Sequence, residues 1–154
     1  MTAIVPALSP DIARNTLDFA DPAVIAGYLE LAAARIKSYG KVTGEWWKVI
    51  DPATGFPGLL IDYRDESPTD VIGAIAVELG YRTNREVFET VCGLNDEDNG
   101  ADRRSPHPVL AALMRALGYA KVESVFAWSD ERRDDQVVDR LREIAAELRA
   151  QAVA

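Results

Sequence analysis

The chain has 154 residues, of which 48% are hydrophobic and 27% are charged. Asp and Glu outnumber Lys and Arg by twenty-five to seventeen, which gives a net charge of −8. This balance lacks the positive surface that displaces counterions from phosphate, so direct nucleic-acid binding is not expected. One His and one Cys are too few for a conventional zinc site, and we predict neither a metal nor another cofactor.

The compartment is indicated by the N-terminus and by cysteine usage. Met1–Pro6 contains no basic segment ahead of a long apolar run, so a secretory signal is not predicted. No stretch approaches the roughly 18 apolar residues that span a membrane. The lone Cys92 cannot form an internal disulfide, which fits a reducing compartment. We therefore predict a cytoplasmic protein with no membrane association.

The predicted elements begin with an N-terminal arm, residues 1–20, in which Asp11–Phe19 is a helix candidate. A single globular α-rich domain is predicted for residues 21–150. Its first helix covers 22–39, because Asp21 is a suitable N-cap, proline follows at the first helical position, and a glycine ends the segment. Apolar residues recur there at three- and four-residue steps: Ile25, Tyr28, Leu29, Ala32, Ile36 and Tyr39.

The pattern after Lys41 predicts β structure. Residues 42–50 include two tryptophans and several β-branched residues, which favour strands. Residues 51–55 are typical of a turn, with Asp and Pro at its start and Gly at its end. We predict a small β-hairpin in which residues 45–50 pair with 58–63 and lean on the helices.

Three further helix starts follow the predicted hairpin. Ser67 is expected to cap a helix that has proline at its first position and ends at Gly80. Thr83–Glu86 has the pattern of a capping box for the next helix. Ser105–Pro108 opens a helix that a glycine stops at position 118.

The last part of the chain contains one ambiguous segment and one clear helix. Residues 120–128 have apolar spacing that fits either a helix or a strand. Asp134 or Asp135 is expected to cap a long C-terminal helix with a continuous apolar stripe. Each predicted helix has one apolar stripe, and these stripes must be buried against one another. We therefore predict a mainly α fold, a compact bundle of about five amphipathic helices with the small hairpin.

Adjacent tryptophans are the strongest candidates for a binding surface. Neighbouring side chains in a strand point to opposite faces, so one of Trp46 and Trp47 is expected in the core. The other is either covered by a helix or exposed as an anchor for a ligand or partner. Trp128 is a third partner-binding candidate, with core packing as its alternative. Large aromatic side chains dominate interface energetics.

Three carboxylates, Asp62, Asp70 and Asp130, are candidate ligand-binding groups if the fold brings them together near the tryptophan pair. The acidic loop 95–102 is similar to a calcium loop, but proline stands where that loop needs its bidentate Glu, so a solvated loop is favoured over a weak cation site. His107 lacks a catalytic partner at recognisable spacing, and we expect it to be structural or merely exposed.

Several short motifs occur in a characteristic order. An Ala-rich first helix precedes an aromatic segment, then Gly73-Ala74-Ile75, and then Trp128-Ser129-Asp130 ahead of the final helix with Val137-Val138. This order resembles an uncharacterised actinobacterial family, a domain of unknown function found in chromosomes and in phages of those hosts. The resemblance covers roughly residues 22–150 and implies no activity.

No nucleotide-binding loop, hydrolase elbow or metalloprotease motif occurs in the sequence. We therefore predict a small acidic interaction or regulatory protein without catalytic activity, which binds a protein partner. An actinobacterial phage or mobile element is its candidate carrier. Two alternatives stay open: a carboxylate-based domain that binds or transforms a small molecule, and an acidic mimic of nucleic acid.

Overall fold

The computed structural model describes residues 18–51, 53–56, 62–94 and 105–153. Within these residues six helices follow in chain order: α1 (Pro22–Tyr39), α2 (Val71–Glu78), α3 (Asn84–Glu86), α4 (Pro108–Leu117), α5 (Val122–Asp130) and α6 (Asp134–Ala152). α3 continues directly into a π-helical segment, Val87–Val91. The described part of the chain is mainly helical, as predicted, and the ambiguous segment 120–128 is largely helical.

Some of the predictions fall on residues outside this description. They include residues 1–17 of the arm, with all but the last two residues of its helix candidate 11–19, the acidic loop 95–102 up to residue 104, and residues 58–61 of the predicted hairpin. At the end of the arm, Phe19 is half-buried, and its ring centroid lies 4.7 Å from that of His107. This residue therefore packs on the helical core.

The two longest helices, α1 and α6, lie against each other along most of their length. The predicted boundaries of α1 are confirmed: Asp21 accepts a hydrogen bond from the Ala23 N–H at 2.9 Å, and Gly40 ends the helix with φ 91°. The predicted stripe is buried except Tyr39, which is 39% exposed. In α6 the first helical residue is Asp134, so Arg133 and neither predicted aspartate occupies the cap position.

α2 is the centre of the fold, and every residue from Val71 to Val77 is buried. A helix that is apolar on all sides is expected in a core. The predicted start at Ser67 is wrong, because Asp70 is the N-cap. The carbonyls of Pro68 and Thr69 instead accept hydrogen bonds from residues 48 and 42, and this pairing keeps the segment out of the helix.

The predicted β-hairpin is wrong for the residues that the structure describes. Lys41 and Trp47 each form an isolated bridge with Thr69, in parallel and antiparallel sense. Tyr63, from the predicted second strand, donates its N–H to the carbonyl of Arg82 at 2.8 Å. Segments on either side of α2, at Pro68–Thr69 and at Arg82, therefore take hydrogen bonds that a hairpin would have used.

Helix ends in the second half of the chain are capped by residues close to them in the sequence. Thr83 and Glu86 form the predicted capping box. His107 caps α4, because its Nδ1 accepts a hydrogen bond from the Val109 N–H at 3.1 Å, and Gly118 ends that helix in the left-handed conformation. Among the described residues, no helix has the length and apolar character needed to cross a membrane.

Candidate functional site

We call residues 41–50, which carry both adjacent tryptophans, the indole loop. Its backbone is tied to the extended segment before α2. The Val42 N–H donates to the Thr69 carbonyl and the Lys48 N–H donates to the Pro68 carbonyl, both at 3.0 Å. These bonds flank the tryptophan pair, so the loop presents its side chains from a fixed backbone.

Two carboxylates that are more than eighty residues away in the sequence accept hydrogen bonds from the indole loop. Asp130, the last residue of α5, accepts from the Gly44 N–H at 3.2 and 3.3 Å. Asp134, the first residue of α6, accepts from the Lys41 N–H at 3.2 Å. The predicted ligand carboxylate Asp130 therefore binds the protein's own backbone.

The closest approach in this region joins the indole loop to α2. The Asp70 N–H donates to the Trp46 carbonyl at 2.9 Å. A Cβ atom added to Gly73 would lie 2.0 Å from the Trp46 carbonyl oxygen and 2.8 Å from its carbon. Only glycine leaves room for this contact, so Gly73 helps to fix where Trp46 stands.

Asp70 is buried, with 3% of its surface exposed, and its side chain caps α2. One oxygen accepts from the Gly73 N–H at 2.6 Å. Burial raises the pKa of Asp70 well above its usual range, and the nearby charge of Asp130 raises it further. Ser129, also buried, accepts from the Val71 N–H at 3.3 Å. Asp70 is thus a helix cap enclosed by protein.

The three tryptophans occupy different environments. Trp47 is 4% exposed and meets the Tyr63 ring edge-on at 5.5 Å, whereas Trp128 is 5% exposed beneath the Arg132 guanidinium. A partner cannot reach these two rings in the folded chain. Trp46 is half-buried, and its ring centroid lies 4.9 Å from that of Phe126. Of the three predicted partner-binding residues, Trp46 is therefore the accessible one.

Trp46 lines an open cleft of about 540 Å³, which we call the Trp46 cleft. This volume lies within the range of about 300–1,000 Å³ that is typical of ligand pockets. The cleft combines two aromatic rings with charged and polar side chains: Trp46, Phe88, Asp62, Arg85, Glu89, Thr83 and Asn84.

The charges in the cleft are unequal. Arg85 Nε lies 2.9 Å from Glu89 Oε2, one helical turn away, so these two side chains neutralise each other. Asp62 is exposed and forms no ion pair with the residues that the structure describes. Among its described lining residues, the cleft therefore presents one carboxylate without a partner charge.

A local capping interaction fixes where one wall of the cleft begins. The Thr83 hydroxyl accepts from the Glu86 N–H at 3.1 Å and fixes the start of α3. The chain then widens into the π-helical segment Val87–Val91, in which Val87 and Val91 are buried while Phe88 lines the cleft. Such segments recur at functional sites.

The structure brings together only some of the predicted site residues. Trp46 and Asp62 line one cleft, whereas Asp70 and Asp130 hold the backbone that carries Trp46. Sequence reasoning missed Phe88, Arg85 and Glu89, because their spacing indicated only a capped amphipathic helix. The interruption of α-helical geometry at residue 87 has no sequence signal that we identify.

Other reactive side chains lie elsewhere. Burial lowers the pKa of His107 to about 4, so its ring is neutral at physiological pH and acts as a cap. Burial also raises the pKa of the Cys92 thiol. Within the described ranges, no group of three or more His, Cys, Asp or Glu side chains could hold a metal ion.

These features define a mainly helical domain in which a central buried helix fixes one half-exposed indole at the edge of a cleft. Residues 20–147 match a family described as a family of unknown function, DUF6197, and the chain therefore belongs to that family. The resemblance to a domain of unknown function is thus confirmed. No curated protein and no solved structure matches the chain.

Proposed function

We propose that this protein is a non-catalytic interaction module of the cytoplasm, and that it binds a segment of a protein partner in the Trp46 cleft. The observation that carries the proposal is the half-buried Trp46 indole in a cleft of about 540 Å³ that also contains Phe88. Rigid aromatic anchors surrounded by polar side chains are the usual centres of protein interfaces.

The fixed position of Trp46 supports this proposal. Its carbonyl accepts from the Asp70 N–H and lies against Gly73, and its ring contacts Phe126. An anchor whose backbone is already held loses little conformational freedom when a partner binds. Binding can therefore use most of the area that the indole buries.

A carboxylate-based enzyme has less support than an interaction module. A paired-carboxylate mechanism, with one acid and one base, needs two such groups that face the same bound molecule. Among the described residues that line the Trp46 cleft, Glu89 is paired with Arg85, and Asp62 is a carboxylate without an ion pair. Asp70 and Asp130 are both engaged in hydrogen bonds to backbone N–H groups.

The proposal is tested by selecting a random peptide display library on the immobilised full chain. Peptides enriched on the parent protein are then measured on Trp46→Ala, which removes the anchor. They are also measured on Arg85→Trp, which fills the cleft from a side chain that is 81% exposed. Because position 85 is on the surface, the second variant is expected to fold normally.

Phe56→Ala is the matched control, since Phe56 is a 72% exposed aromatic residue that does not line the cleft. We expect the enriched peptides to bind the parent and the Phe56 variant, and to lose at least about tenfold in affinity on both cleft variants, as for a typical hot-spot residue. Equal binding to all four proteins, or no enrichment on the parent, would overturn the proposal.

A further inference from the structure

We infer that the segment bound in the Trp46 cleft is basic, and that an arginine side chain of the partner stacks on Trp46 while its guanidinium pairs with Asp62. This inference rests on the proposed function and names the chemistry of the partner. The partner source is a protein segment, and an acidic or purely apolar segment is a competing outcome of the test.

Charge supplies the first argument. Among the ionisable side chains of the cleft, Glu89 is already paired with Arg85 at 2.9 Å, whereas Asp62 has no partner among the described residues. The whole chain carries a net charge of −8, which favours encounters with cationic partners over anionic ones. A cationic side chain is the complement of this site, and an acidic segment would meet repulsion.

The aromatic ring supplies the second argument. In this structure the Arg132 guanidinium carbon lies 5.6 Å from the centroid of the Trp128 ring, and that of Arg82 lies 5.2 Å from the Tyr63 ring. Within the described residues, no cation lies over Trp46, whose ring contacts Phe126 and lines the cleft. Tryptophan is the best aromatic partner for a cation.

Arginine is favoured over lysine by the combination of these two groups. A guanidinium is planar and weakly hydrated, so it can stack on an indole while its edge donates hydrogen bonds to a carboxylate. An ammonium group is a strongly hydrated point charge and cannot do both with the same geometry. Trp46 and Asp62 together therefore define a site for a stacked, edge-bonded cation.

The test uses one peptide selected on the parent protein and three versions of it. These carry arginine, citrulline or glutamate at the position that the selection enriches for a basic residue. Citrulline keeps the planar shape of arginine and lacks its charge. If the selection enriches no basic position, the inference fails at this step, while the interaction module stands on the loss of binding by the cleft variants.

Affinities are measured by isothermal titration calorimetry on the parent chain, on Asp62→Asn, on Asp62→Lys and on the Phe56→Ala control. On the parent, we expect the arginine peptide to bind about fivefold or more tightly than the citrulline peptide. Asp62→Asn should reduce that preference about two- to fivefold, as expected for an exposed ion pair. On Asp62→Lys, the glutamate peptide should bind more tightly than the arginine peptide, the reverse of the order on the parent.

Salt gives an additional readout, since the arginine preference should fall as ionic strength rises, and the citrulline affinity should not. Equal binding of arginine and citrulline peptides to the parent, with both lost on Trp46→Ala, would overturn the inference and leave the proposed function intact. Binding that Trp46→Ala does not affect would overturn both.

Discussion

The contact between Gly73 and the indole loop makes a sharp prediction about how Trp46 is positioned. In Gly73→Ala the new methyl group would stand 2.0 Å from the Trp46 carbonyl oxygen, whereas ordinary contacts begin at 3.4 Å. Both partners are main chain, one in a buried helix and one in a hydrogen-bonded loop. The loop or the helix must therefore move by more than about 1 Å, as for an overpacked core site.

The expected magnitude follows from opposing contributions. Overpacking costs about 1–3 kcal/mol, and displacement of the loop loses the hydrogen bond from the Asp70 N–H to the Trp46 carbonyl, worth about 1 kcal/mol. Alanine in place of glycine inside a helix returns about 1 kcal/mol. These contributions sum to an expected net loss of about 1–3 kcal/mol, or about 3–9 °C in Tm for a chain of this length.

Gly27→Ala is the matched control, because Gly27 is a buried glycine of α1 and a methyl group added to it would have no atom within 4 Å. It should raise the free energy of unfolding by about 0.5–1 kcal/mol. Thermal melts and urea titrations of both variants provide the assay. A Gly73→Ala protein as stable as the parent would refute the argument that this contact fixes the indole loop.

Three further predictions concern buried polar groups. Burial lowers the pKa of His107 from 6.5 to about 4, so protonation of this side chain opposes folding. The stabilisation contributed by the neutral ring is complete above pH 6.5 and is lost as the pH falls toward 4. The difference between the unfolded and folded pKa corresponds to about 3 kcal/mol in the free energy of unfolding, reduced to about 2 kcal/mol by partial exposure of the ring. His107→Asn keeps a capping acceptor and should remove this part of the pH dependence of unfolding. The raised pKa of Asp70 has the opposite sign, since folding favours its protonated form and stability falls as the pH rises through the folded pKa. Asp70→Asn should therefore be at least as stable as the parent at pH 7. In Asp70→Ala, which has no side-chain cap, the free energy of unfolding from urea titrations should fall by about 1–2 kcal/mol. Arg35→Ala should lose about 2–3 kcal/mol in the same assay, because it leaves Glu78, whose side chain is 13% exposed, without its ion pair at 2.5 Å.

Specific results would contradict each of these three predictions. For His107, the contradicting result is that the parent and the asparagine variant lose the same free energy of unfolding between pH 7 and pH 4.5. For Asp70, equal losses in the asparagine and alanine variants would show that capping is not its role. For Arg35, the double variant with Glu78→Gln should regain part of the lost stability, and no recovery would show that the ion pair is not the cause.

Helix ends set by neighbouring residues could be predicted from the sequence. The cap and stop of α1, at Asp21 and Gly40, and the capping box from Thr83 to Glu86 use groups within four residues of one another. The start of α2 could not be predicted in this way. Its cap is Asp70 and not Ser67 because the intervening backbone pairs with the indole loop, which is a tertiary interaction.

The candidate site could be predicted only in part for the same reason. The alternation of side chains in a strand predicts different environments for Trp46 and Trp47. Trp47 forms only an isolated bridge, yet the structure does place one ring at a cleft and the other in the core. The other wall of the cleft comes from residues 83–89, about forty positions later. No local pattern indicates that contact.

The central claim, that a partner touches Trp46 and neither of the other two tryptophans, is tested most directly by the three indole N–H signals in the NMR spectrum of the full chain. Single Trp→Phe variants assign the signals to Trp46, Trp47 and Trp128. Addition of the selected peptide should shift the Trp46 signal in a saturable manner, with much smaller changes at the two buried rings. Saturable binding that leaves the Trp46 signal unchanged would contradict the account.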